Sequence, residues 1–271
     1  AVSGFYDWVD RNESKQAKHK EYVKTQIRKI HIESYEIYGA PKITHLLKLQ
    51  GIKTSERTVS IYMKQENLKA RYRRRNKHNT LTSDFNIKLT NILERNFDPD
   101  QPNALWCTDI TYIWTQEGFV YLTSVMDLFS KKIIAWELSK TLCADAVVRC
   151  VAKAISRRRL THPAIIHSDR GTQYVSKKYL EVLGNQLIPS YSRKGNPWDN
   201  ACIESFHALI KREWINFYKV RNYEHAYQII FEYIETFYNT VRIHGSCNYE
   251  SPDNYEKISK LGTLNLTSPF S

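Results

Sequence analysis

The chain has 271 residues, 42% of them hydrophobic, and a formal net charge of +12. That length holds one large domain or two ordinary ones with a real core, so most of the chain is expected to fold. No signal peptide and no apolar run of spanning length appears, which points to a soluble intracellular protein and away from a membrane span.

The charge is uneven. Residues 1–80 hold 18 basic and 8 acidic side chains, and residues 81–271 hold 22 and 20. A basic first third joined to a nearly neutral remainder reads as a polyanion-binding module attached to something else. Binding to a membrane surface is the weaker reading, because no basic amphipathic helix with a bulky aromatic face stands out. Cys107, Cys143, Cys150, Cys202 and Cys247 form no CxxC pair and are odd in number. They argue for reduced thiols and against a zinc site or a disulfide framework. The chain begins with Ala1 and its first methionine is Met63, so it reads as a processed, trimmed or downstream portion of a longer product.

In the first third, Val23, Ile27 and Ile30 recur at helical spacing within a Lys-rich segment from about Gln16 to Tyr35. Tyr38-Gly39-Ala40 turns the chain, Pro41 suits the first position of a helix reaching Gln50, and Gly51 ends it as a left-handed cap. Thr54 or Ser55 caps a third helix, Glu56 to Glu66, with Val59, Tyr62 and Met63 inward. Two short helices around a Gly-containing turn make a helix-turn-helix, whose second helix would present Arg57, Thr58, Ser60 and Lys64 to a major groove. The alternative is a plain three-helix bundle with a solvated basic face. DNA binding is favoured by the run that follows, Lys69-Ala70-Arg71-Tyr72-Arg73-Arg74-Arg75-Asn76-Lys77-His78. Such a run can neither pack nor fold alone, and its natural partner is phosphate.

Residues 79–100 are mostly polar, with a short apolar-patterned segment around Ile87 to Leu93, and are expected to form a linker. Strand patterns then begin. Ala104 to Trp114, Phe119 to Phe129 and Lys132 to Leu138 are joined by tight turns, as an antiparallel meander. A helix from about Ala144 to Arg158 follows, then the buried strand Ala164 to His167, a helix from Ser176 to Asn185, and the strand-like Ile188 to Ser192. Next comes Asn196-Pro197-Trp198-Asp199-Asn200, a turn that offers Asp199 or Asn200 as N-cap of a helix with Ile203, Phe206, Ile210 and Trp214 inward. A last helix runs from about Tyr223 to Tyr238. This order describes an α/β ribonuclease-H-like core, a mixed sheet opening with a meander and flanked by helices. A small all-α helix-turn-helix domain precedes it. The expected boundaries are 1–78 for the helical domain and its basic tail, 79–100 for the linker, 101–258 for the core, and 259–271 for a C-terminal tail.

In that arrangement the first and fourth strands are neighbours, so Asp109 and Asp169 meet, and the helix after Asn200 brings Glu204 to them. Three converging carboxylates repel unless cations sit among them, and hard, oxygen-seeking Mg²⁺ is the obvious one, with Mn²⁺ a substitute. Two such ions roughly 3.5–4 Å apart would clamp a phosphodiester. Each acid has a plainer reading: Asp109 as a hydrogen-bonded structural acid, Asp169 as a strand-end turn residue, Glu204 as a surface acid on an amphipathic helix. Asp127 competes from a strand, but is expected to cap the turn at Ser130 or to pair with Lys131 or Lys132. His167 and His207 are expected to be satisfied core or edge histidines, although His207 lies one turn from Glu204 and near its face.

The motifs resemble those of the IS3-family insertion-sequence transposases, similar in turn to retroviral integrases. The resemblance rests on Val2-Ser3-Gly4-Phe5-Tyr6-Asp7-Trp8 and Tyr38-Gly39-Ala40-Pro41-Lys42-Ile43 at the front. In the core it rests on Trp106-Cys107-Thr108-Asp109-Ile110-Thr111-Tyr112 and His167-Ser168-Asp169-Arg170-Gly171-Thr172-Gln173-Tyr174. Ser192-Arg193-Lys194-Gly195-Asn196-Pro197-Trp198-Asp199-Asn200, Glu204-Ser205-Phe206, Tyr238-Asn239, Arg242, His244 and Ser251-Pro252 complete it. By that resemblance Asp109, Asp169 and Glu204 match the catalytic triad, and the 34 residues between Asp169 and Glu204 are close to the family's usual spacing. Lys211 matches a basic position that contacts the DNA end, while Arg193, Lys194, Asn196 and Asn200 lie in the loop that positions the strand. Arg57, Arg71, Arg73, Arg74 and Arg75 are the further DNA-binding candidates.

The resemblance implies a Mg²⁺-dependent transposase that cuts at the 3′ end of an insertion sequence and transfers the strand, by way of a circular intermediate. It would act on element ends and target DNA in the bacterial cytoplasm, associated with the nucleoid, as a homo-oligomer. Relatives of this type gain an upstream helix-turn-helix and leucine zipper by fusion, and that part is absent from the sequence; so is the zinc module of retroviral integrases. The rival readings are a hydrolytic nuclease of the same fold and a non-catalytic DNA-binding regulator.

Overall fold

The computed structural model describes residues 14–72, 90–92, 98–193 and 197–261, and the chain divides into two compact units, Ala1–Tyr72 and Arg73–Ser271.

The first unit has three helices, α1 (Lys15–Glu33), α2 (Ala40–Leu49) and α3 (Glu56–Gln65). Ser14 and Ser55 accept the Ala17 and Thr58 N–H groups at the starts of α1 and α3, which satisfies donors that no helical carbonyl can reach. Gly51, at φ 78°, ends α2, and the N–H groups of Gly51 and Ile52 return to the Lys48 and Leu47 carbonyls. Val23, Ile27, Ile30, Ile43, Leu47, Val59 and Met63 form the buried side chains of the three helices. Lys24 and Arg28 pair with Glu66 at 2.9 and 3.1 Å, fastening α1 to the end of α3. The start of the basic run does pack, contrary to expectation. Asn67, at φ 55°, reverses the chain, so that the Lys69 carbonyl lies 3.1 Å from His31 Nε2 and the Arg71 N–H bonds the Glu36 carbonyl. The compact unit runs to Tyr72, and residues 73–78 of the basic run lie outside the described residues.

The second unit is built on one five-stranded sheet: β1 (Leu105–Thr115), β2 (Gly118–Asp127), β3 (Ile133–Ser139), β4 (Ala164–Ser168) and β5 (Leu187–Tyr191). Their spatial order is β3-β2-β1-β4-β5, with the meander antiparallel and β1, β4 and β5 parallel. This is the ribonuclease-H-like arrangement. Helix α4 (Ala144–Arg157) buries Val147, Cys150, Val151 and Ala154 on one face of the sheet, against Val125, Ala135 and Ile166. Helix α5 (Lys177–Leu183) links β4 to β5, and α6 (Ala201–Glu213) packs on β1 and β2.

Three features lie outside the sequence reading. The last predicted helix is α7 (Tyr223–Phe231), which continues in π-helical turns over Glu232–Tyr238. A further helix, α8 (Pro252–Lys260), crosses the boundary expected at 258. Thr90, Asn91 and Ile92 are not free linker: they bond the Tyr191 N–H, the Asp199 carboxylate and Ser190 Oγ along the β5 side of the sheet. Most of the Ile87–Leu93 segment, like the motif at residues 2–8, lies outside the described residues.

Asp127 caps the turn, accepting the Phe129 N–H, and pairs with neither lysine. Its N–H bonds the Lys132 carbonyl across the turn, while Lys131 and Lys132 pair with Asp98 and Asp253. The fully buried Asp127 carboxylate accepts from Asn103 and Phe129 N–H, with Arg158 3.9 Å away. Burial pushes it up to about 6, against those donors and the guanidinium.

Candidate active site

Asp109 stands in the middle of β1, opposite Ser124 on β2. On its other side β1 runs parallel to β4, with Cys107 beside His167. Two residues further along each strand are Asp109 and Asp169, which puts both acids at the same level of the sheet. The end of β4 is fixed by a chain of hydrogen bonds through His167. Ser190 Oγ accepts the Ile92 N–H and lies 2.9 Å from His167 Nδ1; His167 Nε2 lies 3.1 Å from Ser192 Oγ, which donates to the Ser168 carbonyl. Ser192 spends its proton on Ser168, so Nε2–H donates to Ser192, and Ser190 Oγ can donate to Nδ1. Burial drives the His167 pKa down to about 4, so the ring is neutral. His167 is a satisfied core histidine that sets where Asp169 begins.

Asp169 folds back onto its own turn, Oδ1 accepting the Gly171 N–H at 2.9 Å. A β-carbon at 171 would stand 3.0 Å from that oxygen and 3.0 Å from Gln173 Oε1, so a larger residue would press on the Asp169 carboxylate. Crowding by the surrounding protein and then the Asp109 charge push the Asp169 carboxyl up to about 6. Glu204, on the first turn of α6, is exposed and is also raised, by burial and then by the charges of Asp109 and Asp169. The three acids therefore feel one another. Among the described residues Asp169 and Glu204 have no salt-bridge partner, and His207 Nδ1 lies 3.3 Å from Asp109 Oδ2. Arg170 turns away, donating to the Ser192 carbonyl. Among the described residues no three ligands stand close enough together to hold a metal ion as they are. Two of the three acids are exposed side chains that rotation can redirect.

Comparison with known proteins agrees with this arrangement. Residues 99–197 and 185–252 each match an integrase core domain, and residues 18–76 match an HTH-like domain. Over 254 residues the chain is 37% identical to the transposase for insertion sequence element IS904 of Lactococcus lactis subsp. lactis (strain IL1403), covering 93% of this chain and 100% of that protein. It is 33% identical over 259 residues to transposase InsF for insertion sequence IS3A of Escherichia coli (strain K12), covering 94% and 90%. The chain belongs to the IS3-family insertion-sequence transposases. It is thereby a polynucleotidyl transferase of DNA transposition and integration. In fold it is similar to a simian T-cell lymphotropic virus intasome solved in complex with PP2A regulatory subunit B56 gamma. That match has a TM-score of 0.50 at 15% identity, over 90% of this chain and 79% of that one, and shows the fold alone.

The other predicted residues of the transposase are scattered. Lys211 lies on the Glu204 face of α6 and donates to Thr111 Oγ1, two residues along β1 from Asp109. Arg193 is held by the buried Asp199: its N–H and Nε lie 2.9 and 3.2 Å from Oδ2. Asn91 reaches the same oxygen. Asp199 thus closes the loop rather than capping α6. Asn200 takes the cap position without a side-chain cap bond, and its Oδ1 is buried with no hydrogen-bond partner. Arg57, Ser60 and Lys64 are exposed on α3, and Arg71 is half-buried. Lys194, Asn196, Arg73, Arg74 and Arg75 lie outside the described residues. Sequence reasoning missed two neighbours of the acids. Ser124 is visible only once β1 and β2 are in register. Tyr174 is buried with its hydroxyl 3.4 Å from Thr108 Oγ1, and burial, then the charges of Asp109 and Asp169, hold it far above the usual phenol range.

Proposed function

We propose that this transposase cuts and joins DNA at Asp109, Asp169 and Glu204, with a divalent cation held by the three carboxylates. The observation that carries the reading is their placement: β1, the end of β4 and the first turn of α6 bring three acids together, and burial and then the neighbouring acid charges raise Asp169 and Glu204, with no arginine or lysine paired to either among the described residues. An all-oxygen donor set fits Mg²⁺, with Mn²⁺ as a substitute and two ions as the expected number. Bound there, the cations would offset the carboxylate charge and polarise the oxygens of a phosphodiester.

The chain's own residues do the rest. Lys211, on the Glu204 face of α6, would take a phosphate of the element end. Asp109, on the inner strand, is the fixed member of the three, and Asp169 and Glu204 close on the substrate. Water displaces the 3′ oxygen at the element end, and the freed 3′-hydroxyl then displaces a second 3′ oxygen, so each step breaks one P–O bond as it makes another. The first such joining would link the two element ends on one strand before insertion.

The helical unit would bind DNA through Arg57 on α3 and through Arg71, Arg73, Arg74 and Arg75. Phosphate contacts would dominate, so affinity should fall steeply with salt. The protein would work in the bacterial cytoplasm as a homo-oligomer on DNA, with an upstream helix-turn-helix and leucine-zipper product as a partner. Incubation with Mg²⁺ and labelled element ends tests the reading. Cut 3′ ends and joined strands are expected from the wild type and not from Glu204→Gln; equal products from both would overturn it. Cut ends that never join would make the protein a hydrolytic nuclease.

A further inference from the structure

One more side chain reaches the acids, and it is neither acidic nor exposed. His207, three residues after Glu204 on α6, is 4% exposed and spans the gap between the two strands beneath it. Its Nε2 lies 3.2 Å from Ser124 Oγ on β2, and its Nδ1 lies 3.3 Å from Asp109 Oδ2 on β1. Ser124 is itself fully buried and is the cross-strand partner of Asp109. Nδ1 has no aligned hydrogen bond in this arrangement, so a buried polar atom is left aimed at a carboxylate. Such an atom is costly unless it finds a partner.

The proton positions follow from elementary chemistry. A lone pair on Nδ1 facing a carboxylate oxygen would repel it, so the favourable tautomer carries its proton on Nδ1. Nε2 is then an acceptor, and the Ser124 hydroxyl is the donor beside it.

The geometry points to His207 as a positioning residue. Its Nδ1–H holds Asp109 Oδ2, leaving the other carboxylate oxygen for the site shared with Asp169 and Glu204, and Ser124 fixes the tautomer that makes this possible. The role rests on the proposed reading of Asp109 as a metal-holding acid. It is the carboxylate counterpart of the outer-shell bonds that orient metal ligands. His207 also ties Asp109 to α6, the helix that carries Glu204, so one ring sets the register of two of the three acids.

Two amides separate the two ends of the ring. The side-chain nitrogen of asparagine falls near the Nδ1 position, and that of glutamine near Nε2. His207→Asn therefore keeps a donor for Asp109 and loses the Ser124 contact, while His207→Gln keeps the Ser124 contact and loses the donor. Magnesium binding is measured by calorimetry on the DNA-free protein, beside cleavage of labelled element ends, with Asp109→Asn as the reference. His207→Gln is expected to weaken magnesium binding and cleavage by about 10–100-fold, the usual cost of losing such a bond, and His207→Asn to retain most of both. Equal behaviour of the two amides overturns the positioning role. If Asp109→Asn still binds magnesium and cleaves like the wild type, the reading of Asp109 itself fails, which is a separate result. Should His207→Gln not fold, Ser124→Ala carries the test: it frees the tautomer and should lower magnesium affinity several-fold, and unchanged affinity overturns the proposal.

Discussion

The second unit handles carboxylates in two ways. Glu213 and Glu256 are buried, and each meets an arginine. Glu213 accepts Arg242 Nη2 and Nε at 2.7 and 2.8 Å and the Tyr233 hydroxyl at 2.9 Å. Glu256 accepts Arg158 at 2.7 and 2.8 Å and Ser130 Oγ at 2.7 Å, tying α8 to the end of α4. Burial works to raise the Glu256 carboxyl, but the Arg158 guanidinium outweighs it and holds the acid below its usual range. Asp109, Asp169 and Glu204 have no such partner and face one another, with Asp169 and Glu204 left open to solvent. Buried charge must be compensated inside the protein; charge at a site can be left for a ligand to compensate. Depth of burial therefore does not mark the functional acids here. Missing compensation does.

That contrast can be broken at either end. The largest effect is expected from Asp109→Asn or Asp169→Asn, which should abolish cleavage and strand joining while leaving DNA binding intact in a mobility-shift assay. Loss of binding as well would place these acids with the structural ones. Next is Arg242→Met, which strands the Glu213 carboxylate and should cost about 3–5 kcal/mol in urea unfolding. A loss below about 1 kcal/mol would mean that the pair is solvated and the contrast is overdrawn.

The neutral His167 gives a smaller, pH-dependent effect. Its folded pKa of about 4 lies below the ordinary 6.5, so between those values the unfolded chain binds more protons and stability falls as pH drops. Between pH 7 and pH 5 the residue should account for about 2 kcal/mol of lost stability. Unfolding curves of His167→Asn should lack that component; an unchanged pH dependence would assign it elsewhere. The smallest effect is in the helical unit, where Ser55→Ala removes the cap of α3 and should cost about 1 kcal/mol.

Much of this was legible before any coordinates. The alternation and turns of β1 to β3 and the periodicity of α4 gave the order of elements, and the ribonuclease-H-like arrangement which that order matches places Asp109 beside Asp169. Two kinds of information were hidden. Cross-strand register is one: Ser124 and His207 become neighbours of Asp109 only when β2 lies against β1 and α6 packs over both. Competition for a charged group is the other. Arg193 reads as a free cation in a basic loop, but Asp199, six residues on and fully buried, needs a partner and takes it. Helix α8 was not hidden, since Ser251 as N-cap and Pro252 in its first turn announce it locally; only its tie from Glu256 to Arg158, across 98 residues, lay beyond local reading.

Manganese binding to the DNA-free protein, followed by electron paramagnetic resonance, tests the central claim most directly. Saturable binding by the wild type, lost in Asp109→Asn and Asp169→Asn and weakened in Glu204→Gln, is the predicted result. Binding of equal strength in the wild type and all three variants would contradict it.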